Sequence, residues 1–377
     1  MRILLFANTD WYLYNFRFSL AQTLRDNGDD VVLVSPPGQY GILLKNAGFR
    51  WIPIQLNRRS LNPIAELASI VRLAILYKRE RPDLVHHFTI KCVIYGSLAA
   101  KVNGIYAIVN ALPGFGHVFS SDSWGASILR QALSFLFRLS MGNSRVIFQH
   151  SEDRVRFQAL NVVTPERLHV IRGSGVDTNK FSQALVRNGS ANVSILLASR
   201  LLWAKGVGEF VEAARLIKNA YPKSRFIVAG DLDQGNPDAI PAEAIALWRE
   251  ENVAEFLGHR DDIADILKTV DIVVLPTYYG EGVPRILVEA AASGLPLVAT
   301  GMAGCLEIVI DGENGLIVPA RDAVALASAI NRLIEDANLR AVMGKRGREI
   351  AIQYFSEEKV ISETLGVYRM TLSAASE

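Results

Sequence analysis

At 377 residues the chain is longer than one typical domain, and its length favours two domains. Half of the residues are hydrophobic and 21 % are charged, which excludes the disordered and fibrous classes and predicts large buried cores. The net charge is only +2. The two cysteines, Cys92 and Cys305, show neither a CxxC nor a Cys/His spacing, so we expect no disulfide framework and no zinc site, as in a reducing cytosol.

The sequence predicts neither export nor membrane insertion. The first apolar run, residues 3–7, is too short for the apolar region of a signal peptide. No stretch approaches the roughly 18 uncharged apolar residues that a membrane span requires. We therefore expect a soluble, cytoplasmic protein.

Short apolar runs alternate with helix-length segments along the whole chain. Runs that are apolar on both faces predict the buried parallel strands of open α/β sheets. A first series of predicted strands covers residues 3–7, 31–35, 51–54, 84–87, 107–110, 146–149 and 169–171, and a second series covers 193–198, 225–229, 254–257, 272–275, 297–300 and 316–318. The sequence thus predicts two doubly wound parallel sheets, each at the centre of a Rossmann-like domain.

The segment 182–192 separates the two series and is polar with one glycine, as expected of a linker. We predict an N-terminal domain over 1–181 and a C-terminal domain over 193–377, with a last helix at about 356–377 that is a candidate to pack back on the N-terminal domain. Ligands of such sheets bind beyond the carboxyl ends of the strands, so two facing sheets predict a cleft between the domains.

The turn after the first predicted strand argues against one common function. A dinucleotide-binding enzyme places glycines there, because they let the backbone approach a pyrophosphate. Residues 8–16 contain no glycine. A nicotinamide dehydrogenase is therefore disfavoured.

The segment after the eleventh predicted strand carries the strongest functional pattern. Pro284 suits the first turn of a helix, and Gly294 suits the C′ position that ends it. Glu281 and Gly282 then lie in the turn at the helix N-terminus, where amides and the helix dipole attract phosphate or polarised hydroxyls. Glu289 comes five residues after Pro284, roughly 7 Å along the helix axis, and lies among apolar residues, where a carboxylate needs a partner. We interpret both carboxylates as ligand-binding groups; the alternative is a solvated Glu281 and a water-facing Glu289.

Glu281 and Glu289, followed by an alanine-rich run and Gly-Leu-Pro, resemble the signature of family-four glycosyltransferases of the GT-B fold. The resemblance extends over nearly the whole chain. Its other elements are Arg200 with Lys205-Gly206, Asp83-Leu-Val-His86, Gly258-His259-Arg260, and Asn314-Gly315 with Val318-Pro319. These elements in this order are more specific than any one of them alone.

The resemblance implies a role for each element. Arg200 and Lys205 would hold the donor diphosphate, Glu289 the ribose hydroxyls, and Glu281 with the amides after it the transferred sugar. The implied catalytic residues are Glu281, Arg200, Lys205, His86 and His117, and the implied donor-binding residues are Gly258, His259, Glu281, Gly282, Val283, Pro284 and Glu289. Because Arg200 and Lys205 follow an apolar strand, they can also project into the cleft and neutralise a leaving diphosphate; an ordinary exposed basic pair is the alternative.

We expect no metal and no other cofactor. The family uses side-chain cations and a helix N-terminus in place of a metal, and retention of anomeric configuration is likewise implied by the resemblance. Asp231-Leu-Asp233 is the only match to a metal-binding DxD spacing, and we interpret it as loop.

The N-terminal half departs from the family pattern at one point and resembles a particular subgroup at another. The family's usual Thr-x-His-Asp turn is replaced here by residues 109–117. The histidine of this segment, His117, comes a few positions later than the family histidine. The sequence therefore leaves open which residue is the polar catalytic group of the N-terminal domain. Residues 87–96 together with 11–17 resemble the subgroup that builds polysaccharides on undecaprenyl-diphosphate carriers, including N-acetylgalactosaminyltransferases. Thr89 and Lys91 become candidates for acceptor binding; simple surface exposure of Lys91 past a strand is the alternative.

Charge is unevenly distributed along the chain. Residues 1–180 hold 21 Lys and Arg against 12 Asp and Glu, whereas residues 181–377 hold 19 against 26. The segment 124–141 predicts an apolar helix with two arginines, and a basic group comprises Arg58, Arg59, Arg72, Lys78, Arg79 and Arg81. Interfacial helices combine these features, so we predict peripheral contact with the anionic inner face of the cell membrane and no nucleic-acid partner. A helix packed on its own sheet, with a solvated basic face, is the alternative.

Together these patterns predict a retaining, metal-independent glycosyltransferase. It would move a hexose or N-acetylhexosamine from a UDP-sugar to an undecaprenyl-diphosphate-linked saccharide in surface polysaccharide (O-antigen or capsule) biosynthesis. A non-hydrolysing sugar-nucleotide epimerase and a non-catalytic nucleotide-sugar-binding protein remain open alternatives. A glycosidase is disfavoured, because hydrolysis has no need of diphosphate-binding cations.

Overall fold

A computed structural model describes residues 1–56, 62–114, 124–182, 192–233 and 235–375, with the backbone alone at 124–129. The chain divides into two compact units, Met1–Gly175 with Glu357–Glu377, and Val176–Ser356. The first boundary lies before the predicted linker 182–192, of which 183–191 are outside the described residues. Val176 and Phe181, which the sequence assigned to the first domain, are buried in a hydrophobic cluster of the second unit.

Each unit contains one fully parallel sheet. The first has the order β3-β2-β1-β4-β5-β6-β7 and the second the order β10-β9-β8-β11-β12-β13. The strands are β1 (Arg2–Phe6), β2 (Asp30–Ser35), β3 (Arg50–Pro53), β4 (Leu84–Phe88), β5 (Ile108–Leu112), β6 (Arg145–Phe148), β7 (Leu168–Val170), β8 (Ser194–Ala198), β9 (Arg225–Ala229), β10 (Glu255–Gly258), β11 (Ile272–Leu275), β12 (Leu297–Thr300) and β13 (Gly315–Val318). Both predicted series of strands are confirmed to within two residues at each end.

Helices connect the strands within the described residues. They are α1 (Asp10–Phe16), α2 (Phe18–Asp26), α3 (Gln39–Asn46), α4 (Pro63–Glu80), α5 (Ile90–Val102), α6 (Trp124–Met141), α7 (Ser151–Gln158), α8 (Val207–Ala220), α9 (Ala242–Glu250), α10 (Ile263–Leu267), α11 (Arg285–Ala292), α12 (Ala303–Leu306), α13 (Ala323–Glu335), α14 (Ala337–Phe355) and α15 (Glu357–Ala375). None of the helices in these ranges is long and apolar enough to cross a membrane.

The strands form because their side chains are apolar in both directions and helices cover both faces of each sheet. On one face of the first sheet, Leu20 of α2 and Val367 of α15 lie in one buried cluster. On the other face, Leu73 of α4 and Ala99 of α5 lie in another. Helix α15, the last of the chain, therefore belongs to the core of the first unit.

A buried polar network ties β4 to its neighbours. Asn110 on β5 donates to the hydroxyls of Ser97 (3.0 Å) and Ser144 (2.9 Å), so its carbonyl oxygen accepts from His87 Nδ1 (2.8 Å). His87 Nε2 then accepts from the Tyr77 hydroxyl of α4 (3.0 Å). Burial lowers the pKa of His87 to about 4. The ring is therefore a neutral structural group that joins two strands and two helices.

The position of the His87 ring predicts a severe effect of Gly96→Ala. A Cβ at Gly96 would overlap that ring, and overpacking of this kind typically costs about 1–3 kcal/mol of unfolding free energy. We expect a lower urea midpoint by circular dichroism. Gly142→Ala is the matched control, because its Cβ would have open space around it. A Gly96→Ala midpoint equal to that of Gly142→Ala would contradict this packing.

Candidate active site

The predicted donor residues follow the carboxyl ends of strands in the second sheet. The strand order reverses between β8 and β11, so the connections that leave these two neighbouring strands diverge and leave a crevice. Arg200 follows β8, His259 follows β10, and Glu281 follows β11. The fold thus brings groups that are distant in sequence to one edge of one sheet.

An ion pair spans the reversal point. Lys205, which ends a short 3₁₀ turn after β8, binds the carboxylate of Glu281 through its Nζ. The lysine is only 6 % exposed, and its Nζ lies 5.2 Å from the centroid of the Tyr279 ring. Gly206 follows with φ of 76°, and a Cβ there would overlap the carbonyl oxygen of Pro276. This glycine therefore permits the close approach of the two loops.

Backbone contacts hold the loop before α11 against the loop after β8. The Tyr278 amide donates to the Ala204 carbonyl oxygen (2.9 Å), and the Thr277 hydroxyl donates to the same oxygen (3.0 Å). Helix α11 begins one residue after Pro284, which occupies the N-cap rather than the first turn. Gly294 has φ of 74° directly after the C-cap residue, as predicted for C′. The segment is thus fixed at both ends before any ligand binds.

Glu289 lies on α11 and is 8 % exposed. Arg285, one turn earlier on the same helix, donates from Nε to Glu289 Oε1 at 2.6 Å. Burial raises the pKa of Glu289, and the charge of Arg285 opposes that rise. The buried carboxylate of Glu289 therefore has a charged partner, Arg285, on the same helix.

A cavity of about 350 Å³ lies beside these groups. Of the predicted residues it joins Arg200, His259 and Glu289, and its wall also includes Ser199, Gly230, Asp231, Leu232, Asp233, Arg260, Ile263 and Ile286. The other predicted donor residues, which are Lys205, Gly258, Glu281, Gly282, Val283 and Pro284, lie in the adjoining strand end and loops outside this lining. The cavity has room and polar groups for part of an extended ligand.

The sequence missed two charged residues of this site. Asp233 accepts from Arg200 Nη1 at 2.7 Å, and Arg285 pairs with Glu289. The i, i+4 spacing of Arg285 and Glu289 was a readable signal. Arg200 and Asp233 lie 33 positions apart in the sequence, and no local pattern indicated their pairing. Within the described ranges no three His, Cys, Asp or Glu side chains are close enough together to hold a metal ion.

The predicted residues of the first unit are placed differently. His86 is 1 % exposed, and its Nδ1 lies 2.7 Å from the hydroxyl of Tyr368 on α15. Burial lowers the pKa of His86 well below its usual value, with a smaller contribution from the charge of Arg17. His86 is therefore neutral. His117 lies outside the described residues.

The two acceptor candidates lie at the start of α5. Lys91 Nζ forms an ion pair with Glu66 Oε1 at 2.9 Å, and the Tyr95 hydroxyl donates to the other carboxylate oxygen at 2.5 Å. Thr89 lies at the carboxyl end of β4 with φ of 75° and ψ of 154°. Lys91 is therefore half-buried and bound to α4, rather than simply exposed past a strand.

Two protein-family models match the chain. Glycosyl transferases group 1 matches residues 177–350, and glycosyl transferase 4-like matches residues 2–151. The chain therefore belongs to the family-four glycosyltransferases of the GT-B fold, and it is an enzyme. This confirms the resemblance that rested on Glu281, Glu289 and the elements around them.

Relatives and solved structures extend the match over most of the chain. It is 28 % identical, over 96 % of both chains, to the N,N'-diacetylbacillosaminyl-diphospho-undecaprenol alpha-1,3-N-acetylgalactosaminyltransferase of Campylobacter jejuni. It is 27 % identical to the UDP-Gal:alpha-D-GlcNAc-diphosphoundecaprenol alpha-1,3-galactosyltransferase of Escherichia coli, over 82 % of this chain and 81 % of that one. Anabaena Alr3699/HepE in complex with UDP superposes with a TM-score of 0.79 at 24 % identity, over 97 % of this chain and 100 % of that one, which shows the shared fold.

The raised pKa of Glu289 predicts a pH-dependent stability. A carboxyl group whose pKa is higher in the folded state contributes stability that is complete below its unfolded pKa of about 4.3 and is lost as the pH rises through the folded value. Glu289→Gln does not titrate, so its stability relative to the natural protein should improve from about pH 4 to about pH 8. Urea unfolding at each pH measures this. Glu250→Gln, at an exposed position of α9, is the control. A relative stability of Glu289→Gln that stays constant or falls would refute the effect.

Proposed function

We propose that this enzyme is a retaining, metal-independent glycosyltransferase that moves a hexose or N-acetylhexosamine from a UDP-sugar to an undecaprenyl-diphosphate-linked saccharide in surface polysaccharide biosynthesis. The observation that carries this proposal is the convergence of Arg200, His259 and Glu289 on one cavity at the carboxyl edge of the second sheet. The Lys205–Glu281 ion pair lies at the same edge. A nucleotide-sugar needs these kinds of groups: cations for its diphosphate and carboxylates for its hydroxyls.

The names of the relatives support the choice of donor and acceptor. The names of the Campylobacter jejuni and Escherichia coli enzymes both include a diphospho-undecaprenol saccharide, and the second also includes UDP-Gal. The Anabaena structure contains UDP. We extend these substrates to the present chain as a class, since the relatives differ in the sugar they transfer.

The proposed chemistry uses positive charge where the leaving group forms. As the glycosidic bond to the diphosphate breaks, negative charge grows on the phosphate oxygens, and Arg200 and Lys205 would stabilise it. A preorganised charge of this kind contributes about 3–4 kcal/mol to a transition state. To reach the diphosphate, each cation would exchange its present carboxylate, Asp233 or Glu281, for phosphate oxygens. Side-chain cations would thus replace the metal ion that other transferases use.

The first test is turnover with a panel of UDP- and GDP-sugars and a lipid-diphosphate saccharide, in the presence of EDTA. Arg200→Ala and Lys205→Ala should each lower kcat by about 10²-fold or more. Arg225→Ala is the matched control for Arg200→Ala, because it removes a similar exposed ion pair, with Glu255 at 2.9 Å, that lies away from the cavity.

Each outcome of this test separates the alternatives. An altered nucleotide-sugar released without acceptor would indicate an epimerase, and donor binding without turnover would indicate a sensor. Loss of activity in EDTA that magnesium restores would refute the metal-free proposal. Activity of both variants equal to that of Arg225→Ala would refute the role of the two cations.

We also propose that the first unit binds an anionic membrane surface. It holds 22 Lys and Arg against 15 Asp and Glu, whereas the second unit holds 18 against 23. The charge asymmetry predicted from the sequence therefore persists when residues are assigned by structural unit. A lipid-linked acceptor requires such contact, since its saccharide stays close to the bilayer.

Helix α4 provides the surface best suited to that contact. Four aliphatic side chains lie along one outward stripe over about 16 Å of helix: Ile64 (80 % exposed), Leu67 (61 %), Val71 (49 %) and Ile75 (64 %). Exposed Arg72, Lys78 and Arg79 lie on the same helix. Its two acidic residues turn elsewhere, because Glu66 binds Lys91 on α5 and Glu80 is buried. An apolar stripe flanked by cations is typical of an interfacial helix.

The predicted interfacial helix at 124–141 supports this proposal less well. Among its described side chains only Phe135 and Leu139 are large, apolar and exposed, while Phe137 and Met141 are buried in the core of the first unit. Arg58 and Arg59 of the basic group lie outside the described residues. The stripe on α4 therefore becomes the principal membrane-binding candidate.

The prediction is that Leu67→Glu with Ile75→Glu abolishes binding to vesicles rich in phosphatidylglycerol. Burial of each such side chain contributes roughly 1.5–3 kcal/mol, so sedimentation should show at least about a hundredfold weaker partition. Ile42→Glu with Leu43→Glu, two exposed residues of α3, is the control with an identical charge change. Binding of the natural protein should weaken with salt. Equal loss in both double variants, or no vesicle binding by the natural protein, would refute a role for α4.

A further inference from the structure

Buried polar atoms without a hydrogen-bond partner are concentrated at one place in the first unit. Six such side-chain atoms occur in the part of the chain that the structure describes. Three of them belong to Arg17, His86 and Thr89. His86 lies on β4, Thr89 follows its last residue, and Arg17 lies against the ring of Phe88. A native structure holds few such atoms, and each requires a physical explanation.

Arg17 is a buried cation with no carboxylate partner in the described part of the chain. It lies at the junction of α1 and α2, is 7 % exposed, and donates one hydrogen bond, from Nη2 to the Tyr12 hydroxyl at 3.1 Å. Its Cζ lies 4.5 Å from the centroid of the Phe88 ring. No carboxylate lies within ion-pair distance of it among the described residues. Burial of an unpaired charge is costly, so a counter-charge is the missing component.

The imidazole ring of His86 also packs against the ring of Phe88. Its ring centroid is 4.0 Å from that of Phe88. Its Nδ1 is engaged with Tyr368, which leaves Nε2 buried without a partner. If the Tyr368 hydroxyl donates to Nδ1, the proton of the neutral ring is on Nε2, which is then available to an acceptor. The charge of Arg17 favours an oxygen acceptor with negative charge at this place.

Thr89 adds a hydroxyl group on a strained backbone. With φ of 75° and ψ of 154° it occupies a backbone region that is essentially restricted to glycine, and its side chain caps no amide of α5. The Oγ1 is buried without a partner. Strain of this kind persists where the surrounding structure over-determines a residue, often at a ligand site. Thr89 thus adds a third polar group without a hydrogen-bond partner, at the carboxyl end of β4. Strand β4 lies next to β1, where the strand order of the first sheet reverses.

We propose that Arg17, His86 and Thr89 form a diphosphate-binding site that holds the acceptor. The guanidinium of Arg17 would pair with the phosphate oxygens, and the Thr89 hydroxyl and His86 Nε2–H would donate to them. Guanidinium is suited to this because its rigid fork matches phosphate geometry. That the diphosphate belongs to the acceptor rests on the proposed function; the anion site itself does not.

The test uses inorganic pyrophosphate and isothermal calorimetry. All variants carry Arg200→Ala and Lys205→Ala, so that pyrophosphate reports on the first unit alone. Arg17→Met should weaken binding by at least about tenfold. Arg25→Met is the matched control, because Arg25 also lies 4.5 Å over an aromatic ring, that of Phe49, but donates to the Ala47 carbonyl oxygen. It should bind pyrophosphate like the parent.

Thermal unfolding distinguishes a ligand-binding role from a structural one. Without ligand, Arg17→Met should melt no lower than the parent, because an unpaired buried charge is replaced by an apolar group of similar length. Thr89→Val should likewise melt no lower, because it removes an unsatisfied hydroxyl at constant shape, while weakening pyrophosphate binding. A structural role predicts the opposite, which is lower melting temperatures with unchanged affinity.

Two results would overturn the proposal. The first is a parent that binds no pyrophosphate, and the second is unchanged affinity in both Arg17→Met and Thr89→Val. The assay requires neither donor nor saccharide. Failure of the proposed transfer reaction therefore leaves the site intact, and failure of pyrophosphate binding leaves the transfer reaction intact.

Discussion

The reversal of strand order in each parallel sheet is the constraint on which the sites depend. Between β1 and β4, and between β8 and β11, neighbouring strands send their connections in opposite directions from the same edge. Lys205 and Glu281 meet across the second reversal because their strands are hydrogen-bonded neighbours. The orphan groups of Arg17 and Thr89 lie near the first. Topology, rather than local sequence, thus determines which distant residues act together.

The two edges differ in how they manage charge. In the second unit every predicted donor-binding charge has an internal partner: Lys205 with Glu281, Arg200 with Asp233, and Glu289 with Arg285. These pairs stabilise the site, and a ligand must compete with them. In the described part of the first unit no carboxylate pairs with Arg17, so its buried charge carries an electrostatic cost that an anion would remove. We interpret the unpaired charge of Arg17 as a feature that lowers the stability of the first unit and favours the binding of an anion.

The sequence predicted the strands well because their signal is local. Runs that are apolar on both faces have no stable alternative to burial between helices, and the thirteen predicted strands lie where expected. The candidate donor residues Arg200, His259 and Glu281 were readable for a similar reason, since each lies in a loop that follows a strand. Side-chain pairs between elements that are distant in the sequence could not be predicted from it. Arg200 with Asp233 depends on adjacent strand ends, and His86 with Tyr368 joins residues 282 positions apart.

The domain boundary shows the same limitation in a larger element. Composition marks 182–192 as polar, but no local pattern marks Gly175, where the first unit ends, or Ser356, after which the chain rejoins it. Helix α15 contributes Val360 and Tyr368 to the core of the first unit, and Tyr368 fixes the ring of His86. A fragment that ended at residue 181 would therefore lack part of its own core and leave Nδ1 of His86 without its partner. The last helix of the chain is thus required to complete a site that begins at the seventeenth residue.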